Sequence, residues 1–270
     1  MNCNEYLYHY TNVSALALIL KNKSIRFSSL PMLDDLQEQE IKDEQRYGKY
    51  CFVSSWTDDE TESIPMWKMY SDLSNGVRIK LVKYPFREYL INERNTPELR
   101  SLEDINDSTS SLFPASIFNK DYWPIIISQK SILHKVKYTN NPDELVPKIK
   151  SIIDGNTDFA FGKLGTCKNK HWAFQYEWRY ILHFLPFGFR EMYGSASTGS
   201  NQKSLESLDK CPDLPFSNYY LDLKEDATSQ MELTLSPKIH DGNKHIIETL
   251  VKEHDSAIKI LPSSLTGKIQ

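Results

Sequence analysis

The first 28 residues of the chain change their hydrophobic period twice within a short distance. Residues 6–10 (YLYHY) predict a strand, residues 13–22 are rich in Ala and Leu and predict a helix, and residues 25–28 predict a second strand. Thr11 or Asn12 can cap this helix, because each offers a side-chain oxygen to free backbone N–H groups. The chain therefore combines strands and helices from its start.

The rest of the chain continues in this mixed manner, with no internal repeat and no linker long enough to force two domains. Further strands are predicted at residues 50–56, 77–82, 132–138, 176–184, 219–223, 231–235 and 257–261, the last as an edge strand. Helices are predicted at residues 31–48, 64–70, 142–153, 158–168 and 240–254. This order does not match a doubly wound parallel sheet. It predicts a single α+β domain over residues 1–270, with a central, mostly antiparallel mixed sheet flanked by helices. Residues 93–124 are interpreted as an insertion and residues 193–211 as a mobile loop.

Composition excludes several classes of protein. With a net charge of −4 and a pI near 6.0, the chain has no global attraction for nucleic acid or anionic lipid. It has only ten glycines and no G-x-G-x-x-G or Walker sequence, which argues against a Rossmann dehydrogenase or a P-loop enzyme. Four scattered cysteines without zinc spacing predict a metal-free protein of a reducing compartment. Without a signal-type segment or an apolar run of about 18–20 residues, we expect a cytoplasmic protein.

Charged residues are distributed unevenly along the chain. Acids such as Glu38 concentrate in residues 31–62, whereas bases concentrate in residues 163–179. A solvated face is the plain interpretation of both runs. The basic run also carries Trp172 and Phe174, and aromatic residues beside bases fit a surface that binds a single-stranded nucleic acid by stacking and charge.

Three motifs in the first 70 residues are candidates for a ligand site. His9 could bond a ribose hydroxyl and Tyr10 could stack on a base, although a cross-strand aromatic pair with a satisfied histidine is the alternative. Arg26 lies between apolar strand residues, so if it is buried it needs an anionic partner, which could be a phosphate or a structural carboxylate. In the helix of residues 64–70, Trp67 and Tyr70 could line a pocket or simply pack into the core.

The fourth candidate is the segment of residues 175–179 (QYEWR), in which polar and aromatic residues alternate. On a strand, Gln175, Glu177 and Arg179 project to one side. A carboxylate there could stabilise positive charge on a sugar ring, and an arginine could hold a phosphate or orient that carboxylate. The alternative is a polar outer face with an exposed ion pair worth less than about 1 kcal/mol.

The order of these motifs resembles that of a bacterial family of once-uncharacterised domains. Its members open with an aromatic strand and a Leu-rich helix. They continue with L-R-x-S, a C-F-S-like strand, M-W-x-x-Y before a Gly-Val strand, W-x-x-E-x-E-[WY]-R and a late I-x-L-G-P-K strand. The corresponding segments here are residues 7–11, 25–35, 51–55, 66–70 with 76–77, 172–179 and 232–238, so the resemblance spans nearly the whole chain. The chain departs from the family where residues 33–35 (LDD) replace Asn-Asp-Pro, where Gln175 replaces the first Glu and where Ser236 replaces Gly.

This family in turn resembles ADP-ribosyltransferases, which include toxins of phage-defence and toxin–antitoxin systems. The resemblance implies that NAD is the substrate and that Glu177 is the catalytic carboxylate for cleavage of the nicotinamide–ribose bond. Gln175 would position the acceptor, and Arg179 would orient Glu177. The resemblance implies cofactor-binding roles for His9, Tyr10, Arg26, Ser28, Trp67 and Tyr70.

The resulting prediction is an NAD-dependent ADP-ribosyltransferase that acts as a defence toxin on RNA, DNA or a protein, with an antitoxin protein as a further partner. The alternative is a non-enzymatic module on the same scaffold, which would sense a nucleotide or a phage protein. Neither hypothesis involves a metal or a membrane.

Overall fold

The computed structural model of the chain describes residues 5–92, 109–125, 128–189, 191 and 206–269. The strands are β1 (Tyr6–Asn12), β2 (Ser24–Ser29), β3 (Cys51–Thr57), β4 (Gly76–Val82), β5 (Tyr89–Ile91), β6 (Thr109–Ser111), β7 (Trp123–Pro124), β8 (Leu133–Lys135), β9 (Lys137–Thr139), β10 (Lys150–Ile153), β11 (Asn156–Phe159), β12 (Cys167–Asn169), β13 (Glu177–Leu185), β14 (Asn218–Asp222), β15 (Glu232–Leu235) and β16 (Lys259–Leu261). The α-helices with defined bounds are α1 (Val13–Asn22), α2 (Ile64–Tyr70), α3 (Pro142–Leu145), α4 (Glu225–Ser229) and α5 (Asp241–His254).

A large mixed sheet dominates the fold, which confirms the predicted α+β class with a mostly antiparallel sheet. The strand order is β14-β2-β3-β1-β4-β15-β16, and β13 pairs with β3 as well as with β7 and β8. Within this sheet the β15–β16 pair is parallel, and the other pairs are antiparallel. The strand at the C-terminal end, β16, lies at a sheet edge as expected.

Strand β3 organises the sheet because its two edges are used differently. One edge pairs with β13 along the whole strand, from Cys51 to Thr57. On the other edge, β2 pairs only at Phe52 and Val53, and β1 pairs only at Thr57. The two neighbours therefore diverge, and the stretch of β3 between them faces a gap. This gap is where the candidate site lies.

Helix α1 forms as the sequence predicts and packs against this region. The Asn12 side chain accepts a hydrogen bond from Ala15 N at 2.9 Å and caps the helix. Val13, Leu16 and Leu20 are buried, and the helix contacts β1, β2, β4 and α5. The helix thereby covers one side of the sheet and forms one wall of the gap in β3.

Three predicted helices are wrong. Residues 31–48 form short 3-10 turns, including Leu36–Gln39 and Tyr47–Tyr50. The helix predicted at 142–153 ends after one turn, because Pro147 has no N–H to continue it, and residues 150–153 are strand β10. The helix predicted at 158–168 is instead the end of β11, a 3-10 turn and the start of β12.

A hairpin replaces parts of two of these predicted helices, at residues 142–153 and 158–168. Strands β10 and β11 pair through the two-residue turn Asp154-Gly155, whose φ angles are 51° and 78°. Positive φ at both central residues is the geometry of a type I′ turn, and Asp-Gly is one of its favoured sequences. The dipeptide was therefore available as a hairpin signal that outweighs the helical pattern around it.

Other predicted boundaries differ less. The strand predicted at 132–138 is divided into β8 and β9 at Val136, whose N–H bonds the Glu177 carbonyl instead. In the predicted insertion, residues 93–108 lie outside the described residues, while β6 pairs with β5 and β7 joins the main sheet. Most of the predicted loop of residues 193–211, namely residues 193–205, also lies outside the described residues. No helix within the described part of the chain is long and apolar enough to cross a membrane.

Candidate functional site

The gap between β1 and β2 opens into a continuous cleft. Its inner part, about 360 Å³ including space open to solvent, is lined mainly by aromatic residues and ends at Gln175 and Glu177. Its outer part, about 970 Å³ including space open to solvent, extends along α1 and β2 past Arg26 and Ser28. His9, Ser55 and Tyr70 line both parts, so the two form one elongated site. The inner-cleft residues are Tyr8, His9, Tyr10, Ser55, Trp56, Met66, Tyr70, Gln175 and Glu177.

Glu177 stands at the start of β13, where its carboxylate joins a buried ion network. Arg179 Nε lies 2.7 Å from Glu177 Oε1, and Arg179 Nη2 lies 3.2 Å from Oε2. The Lys168 ammonium lies 3.3 Å from the same Oε2. Glu38 completes the group, because both guanidinium Nη atoms of Arg179 donate to its carboxylate. The ion pair is thus buried, and the alternative of an exposed pair on an outer face is wrong.

This network sets the charge of Glu177. Burial alone raises the pKa of a carboxyl, but Arg179 and Lys168 outweigh that effect and hold the pKa of Glu177 below its ordinary value. Burial likewise disfavours the Arg179 cation, yet Glu177 and Glu38 hold its pKa well above the ordinary range. At neutral pH the inner cleft therefore ends in an ionised carboxylate in surroundings largely shielded from water.

Gln175 lies beside Glu177, as predicted, but the structural element that carries it is not the predicted one. It does not lie on β13 but ends the 3-10 turn Lys170–Gln175, and Tyr176 follows with a left-handed φ of 45°. That turn of the backbone brings the Gln175 side chain back beside Glu177. Lys168 Nζ donates to Gln175 Oε1 at 3.0 Å, and Gln175 Nε2 donates to the Tyr70 hydroxyl at 2.6 Å.

His9 is held in one tautomer. Its Nδ1 lies 2.8 Å from the carbonyl oxygen of Ser55, which can only accept, so Nδ1 carries the proton and Nε2 is an acceptor. Burial lowers the pKa of His9, and Arg26 adds to this effect. The imidazole is consequently neutral at pH 7, and it lines both parts of the cleft.

Tyr10 and Tyr70 both line the inner cleft, but their hydroxyls are engaged. The Tyr10 hydroxyl accepts from Ser63 N at 3.0 Å, and its ring meets Trp67 edge-on. Tyr70 accepts from Gln175, and burial, followed by Asp34 and Glu177, raises the pKa of Tyr70 above its ordinary value. Both therefore present ring surface to a ligand.

Arg26 and Ser28 line the outer cleft. The Arg26 side chain is exposed and has no ion-pair partner among the described residues, so it is not tied to a structural carboxylate. Ser28 Oγ donates to Asn218 Oδ1 at 2.9 Å. Tyr220, paired with Arg26 across β14 and β2, adds an exposed ring to the same end.

Trp67 is placed differently from the other predicted site residues. It is fully buried, does not line the cleft and donates through Nε1 to Glu62 at 3.0 Å. The structure therefore places Trp67 in the core, which is the alternative interpretation, and not among the residues that line the cleft. Helical spacing does not distinguish Trp67 from Tyr70, because residues three apart lie on the same side of a helix.

Four residues of the site were missed by sequence reasoning. Glu38 and Lys168 were interpreted as parts of solvated charge runs, yet their side chains are only 3% exposed. Ser55 lies opposite Arg179 in the β3–β13 register and lowers the pKa of Glu177 by a hydrogen bond. Tyr138 accepts the Glu177 N–H at 2.9 Å. Only the C-F-S-like segment of the family resemblance pointed to any of them.

Comparison of the chain with protein-family models, curated proteins and solved structures finds no match. Among the described residues, no group of three or more His, Cys, Asp or Glu is placed to hold a metal ion. What the fold and the site define by themselves is an α+β protein with an elongated aromatic cleft. That cleft has an ionised carboxylate at its inner end and an exposed arginine at its outer end.

Proposed function

We propose that the chain is an NAD-dependent ADP-ribosyltransferase with an ADP-ribosyltransferase-like fold. The observation that carries this proposal is the position of Glu177, a buried carboxylate kept ionised at the closed end of an aromatic cleft. Such a carboxylate is suited to stabilise a cation that forms on a sugar ring. The outer cleft adds length, which a dinucleotide needs and a single sugar does not.

The chemistry requires heterolysis of the bond between C1′ of the ribose and the nicotinamide nitrogen. The bonding electron pair leaves with nicotinamide, and the ribose becomes an oxocarbenium-like cation. Glu177 stabilises this charge, and the acceptor nucleophile then bonds C1′ and loses its proton. Arg179 contacts Glu177 and not the cleft, so its role is to orient the carboxylate.

In this proposal, different residues along the cleft contact different parts of the dinucleotide. The Tyr10 and Tyr70 rings bound the nicotinamide end near Glu177. His9 Nε2 accepts from a ribose hydroxyl at the junction, and Arg26 offers its free guanidinium to the phosphates. Ser28 lies beside it in the outer cleft.

The acceptor surface is proposed to be the turn before β13. Phe174 and Tyr176 are 37% and 53% exposed, Trp172 is partly exposed, and Lys170 is exposed beside them. These rings flank the buried Gln175 and Glu177 in sequence, and the proposal is that an acceptor stacked on them approaches the carboxylate from this turn. Exposed rings with a nearby base favour RNA or DNA over a protein, and growth arrest by such modification is the expected role of a toxin controlled by an antitoxin.

The decisive experiment compares wild-type protein with Glu177→Gln, which keeps the shape of the side chain but removes its charge. Each is incubated with NAD labelled in the adenosine part, together with RNA, DNA or lysate proteins. We expect wild type to release nicotinamide and to label one acceptor class, and Glu177→Gln to lose both activities. The exposed Glu248→Gln on α5 serves as the matched control. Equal label transfer by wild type and Glu177→Gln, or no transfer by either, refutes the proposal.

One observation favours a second candidate, a non-enzymatic module that binds a nucleotide or a phage protein. Both carboxylate oxygens of Glu177 are already held by cations, as in a structural ion network. A binding module would show saturable nucleotide binding in calorimetry without nicotinamide release. Its expression would leave bacterial growth unchanged, whereas a transferase toxin should arrest growth and Glu177→Gln should relieve the arrest.

A further inference from the structure

The ion network behind Glu177 contains two residues that the proposed chemistry does not use. Glu38 comes from a 3-10 turn after β2, and Lys168 comes from β12, so Glu38 is far in sequence from both Lys168 and Arg179. Their side chains are 3% exposed, and neither lines the inner or the outer cleft. They do not line the cleft, but Lys168 contacts the cleft residues Gln175 and Glu177, and Glu38 contacts Arg179 and Lys168 behind them.

Glu38 divides the hydrogen bonds of Arg179 between two carboxylates. The guanidinium directs Nε to Glu177, Nη1 to Glu38, and Nη2 to both. Nη1 also donates to the carbonyl of Gly165 at 3.1 Å. Arg179 is therefore fixed from two sides, and it cannot move toward the cleft without leaving Glu38.

Lys168 holds the two cleft residues at a fixed separation. Its ammonium donates to Gln175 Oε1 at 3.0 Å and lies 3.3 Å from Glu177 Oε2. An ammonium can only donate, so the amide oxygen of Gln175 must face Lys168 and the amide nitrogen must face Tyr70. The same ammonium lies 3.3 Å from Glu38 Oε1, which ties it to the rear of the network.

The four charges balance. Glu38 and Glu177 are two anions, and Lys168 and Arg179 are two cations, all within one buried group. Without Glu38 the group carries an excess positive charge directly behind Glu177. A positive charge at that place opposes the formation of another positive charge in the cleft, because electrostatic interactions are strong where water is excluded.

We propose that Glu38 and Lys168 are positioning residues of the Glu177 site: Lys168 sets the orientation of Gln175 relative to Glu177, and Glu38 balances the cations so that the Glu177 carboxylate acts on the cleft with its full charge. The inference rests on the proposed function, since it assigns these residues a part in NAD cleavage. It concerns the geometry and charge of the site, and binding of NAD itself involves neither residue.

The test uses Glu38→Gln, Lys168→Met and Lys168→Arg in the full chain, with Glu40→Gln and Lys163→Met as exposed controls from the same two segments. Nicotinamide release is measured against NAD concentration. We expect kcat to fall roughly tenfold to hundredfold in Glu38→Gln and Lys168→Met, with KM for NAD nearly unchanged. Lys168→Arg should recover part of kcat, and both controls should match wild type.

The pH profile separates positioning from a general loss of structure. Lys168→Met removes a cation beside Glu177, so the acidic limb of kcat should move to higher pH. Glu38→Gln removes an anion, so the limb should move to lower pH. A structural defect would give no opposite shifts. Unchanged kcat, or equal shifts in both folded variants, overturns the inference while the wild-type activity upholds the proposed function.

A second measurement tests the inference even if the wild-type protein does not cleave NAD. The titration of Glu177 is followed by NMR of isotopically labelled glutamate side chains, with Glu177→Gln for assignment. Opposite displacements of its midpoint in Lys168→Met and Glu38→Gln support control of the Glu177 charge by both residues even if the proposed function fails. A midpoint that neither substitution moves overturns the inference independently of any activity.

Discussion

Gln175 Nε2 lies 2.6 Å from the hydroxyl oxygen of Tyr70, and this bond joins the turn before β13 to the C-terminal end of α2. Both residues line the inner cleft, and Gln175 is nearly fully buried. The bond therefore closes the cleft on one side. It also means that α2 and β13 cannot move apart without leaving a buried amide unsatisfied.

Tyr70→Phe should accordingly weaken the fold as well as the site. The substitution keeps the ring but removes the acceptor of the Gln175 amide, which we expect to lower the free energy of unfolding by about 1–3 kcal/mol. The measurement is urea denaturation followed by fluorescence. Tyr84→Phe removes a hydroxyl from a residue that is 40% exposed and should change stability by less than about 0.5 kcal/mol. Equal effects of the two substitutions would contradict a stabilising role for the Gln175–Tyr70 bond.

The buried network predicts a larger loss when one of its cations is removed. Arg179→Met leaves the Glu38 and Glu177 carboxylates facing each other with only Lys168 to compensate them. We expect a loss of about 3–5 kcal/mol in the free energy of unfolding, since an uncompensated buried charge is costly. Urea denaturation at pH 7 measures it.

The matched control is an ion pair at the surface. Lys137 lies 2.6 Å from Glu144, but its side chain is 63% exposed. Lys137→Met should cost far less than Arg179→Met, because exposed pairs are screened by water. If Arg179→Met cost no more than Lys137→Met, the network would contribute little to stability.

His183 predicts a dependence of stability on pH. The ring is buried within β13, and its Nε2 has no hydrogen-bond partner among the described residues. Burial, with His134 adding to it, lowers the pKa of His183 to about 4 from its ordinary value of 6.5. The unfolded chain thus takes up this proton at higher pH than the folded protein does.

The contribution of His183 to the free energy of unfolding is therefore fully present above about pH 6.5. It is lost as the pH falls toward 4, and the loss amounts to about 3 kcal/mol at most. His183→Asn should flatten the curve of unfolding free energy between pH 7 and 4. The exposed His245→Asn on α5 should leave the curve as in wild type. Parallel curves for wild type and His183→Asn would rule out His183 as the source.

The sequence predicts those helices and strands that have a capping residue or a clear hydrophobic pattern of their own. Asn12 caps α1 as expected, α2 forms over the predicted residues, and each predicted strand except 132–138 appears within two residues of its expected ends. His9, Tyr10 and Tyr70 line one cleft with Gln175 and Glu177, as the ordered motifs suggested. His9, Tyr10, Tyr70 and Glu177 lie on the strands and the short helix that the sequence predicts, whereas Gln175 lies on a 3-10 turn.

The site residues that the sequence did not predict depend on contacts between distant segments. Glu38 and Lys168 each sit in polar sequence, and nothing local distinguishes a solvated charge from one that meets Arg179 in the interior. Trp67 and Tyr70 share a helix, and only the tertiary packing decides which one faces the cleft. Part of the false helix at 158–168 has this cause, since β12 pairs there with β9, whereas the hairpin of β10 and β11 had a local signal in Asp154-Gly155.

Gly165 yields a prediction that separates backbone strain from crowding behind the site. Its φ is +74°, and an added Cβ would lie 3.1 Å from Cys51 Sγ and 3.2 Å from a Val53 methyl. Gly165→Ala should lower the free energy of unfolding by about 1–3 kcal/mol, because the left-handed conformation and the crowding both oppose it. It should also reduce any activity of the site, since the Gly165 carbonyl binds Arg179.

Two other glycines complete the series. Gly155 has φ of +78° with nothing within 4 Å of an added Cβ, so Gly155→Ala measures the strain alone, about 1 kcal/mol. Gly162 has open space and no positive φ, so Gly162→Ala should change stability by no more than about 0.5 kcal/mol. Urea denaturation of all three variants should rank the losses as 165 above 155 above 162. If Gly165→Ala were no more destabilising than Gly155→Ala, the segment behind Arg179 would have room to adjust, and the guanidinium would be held by its carboxylate partners alone.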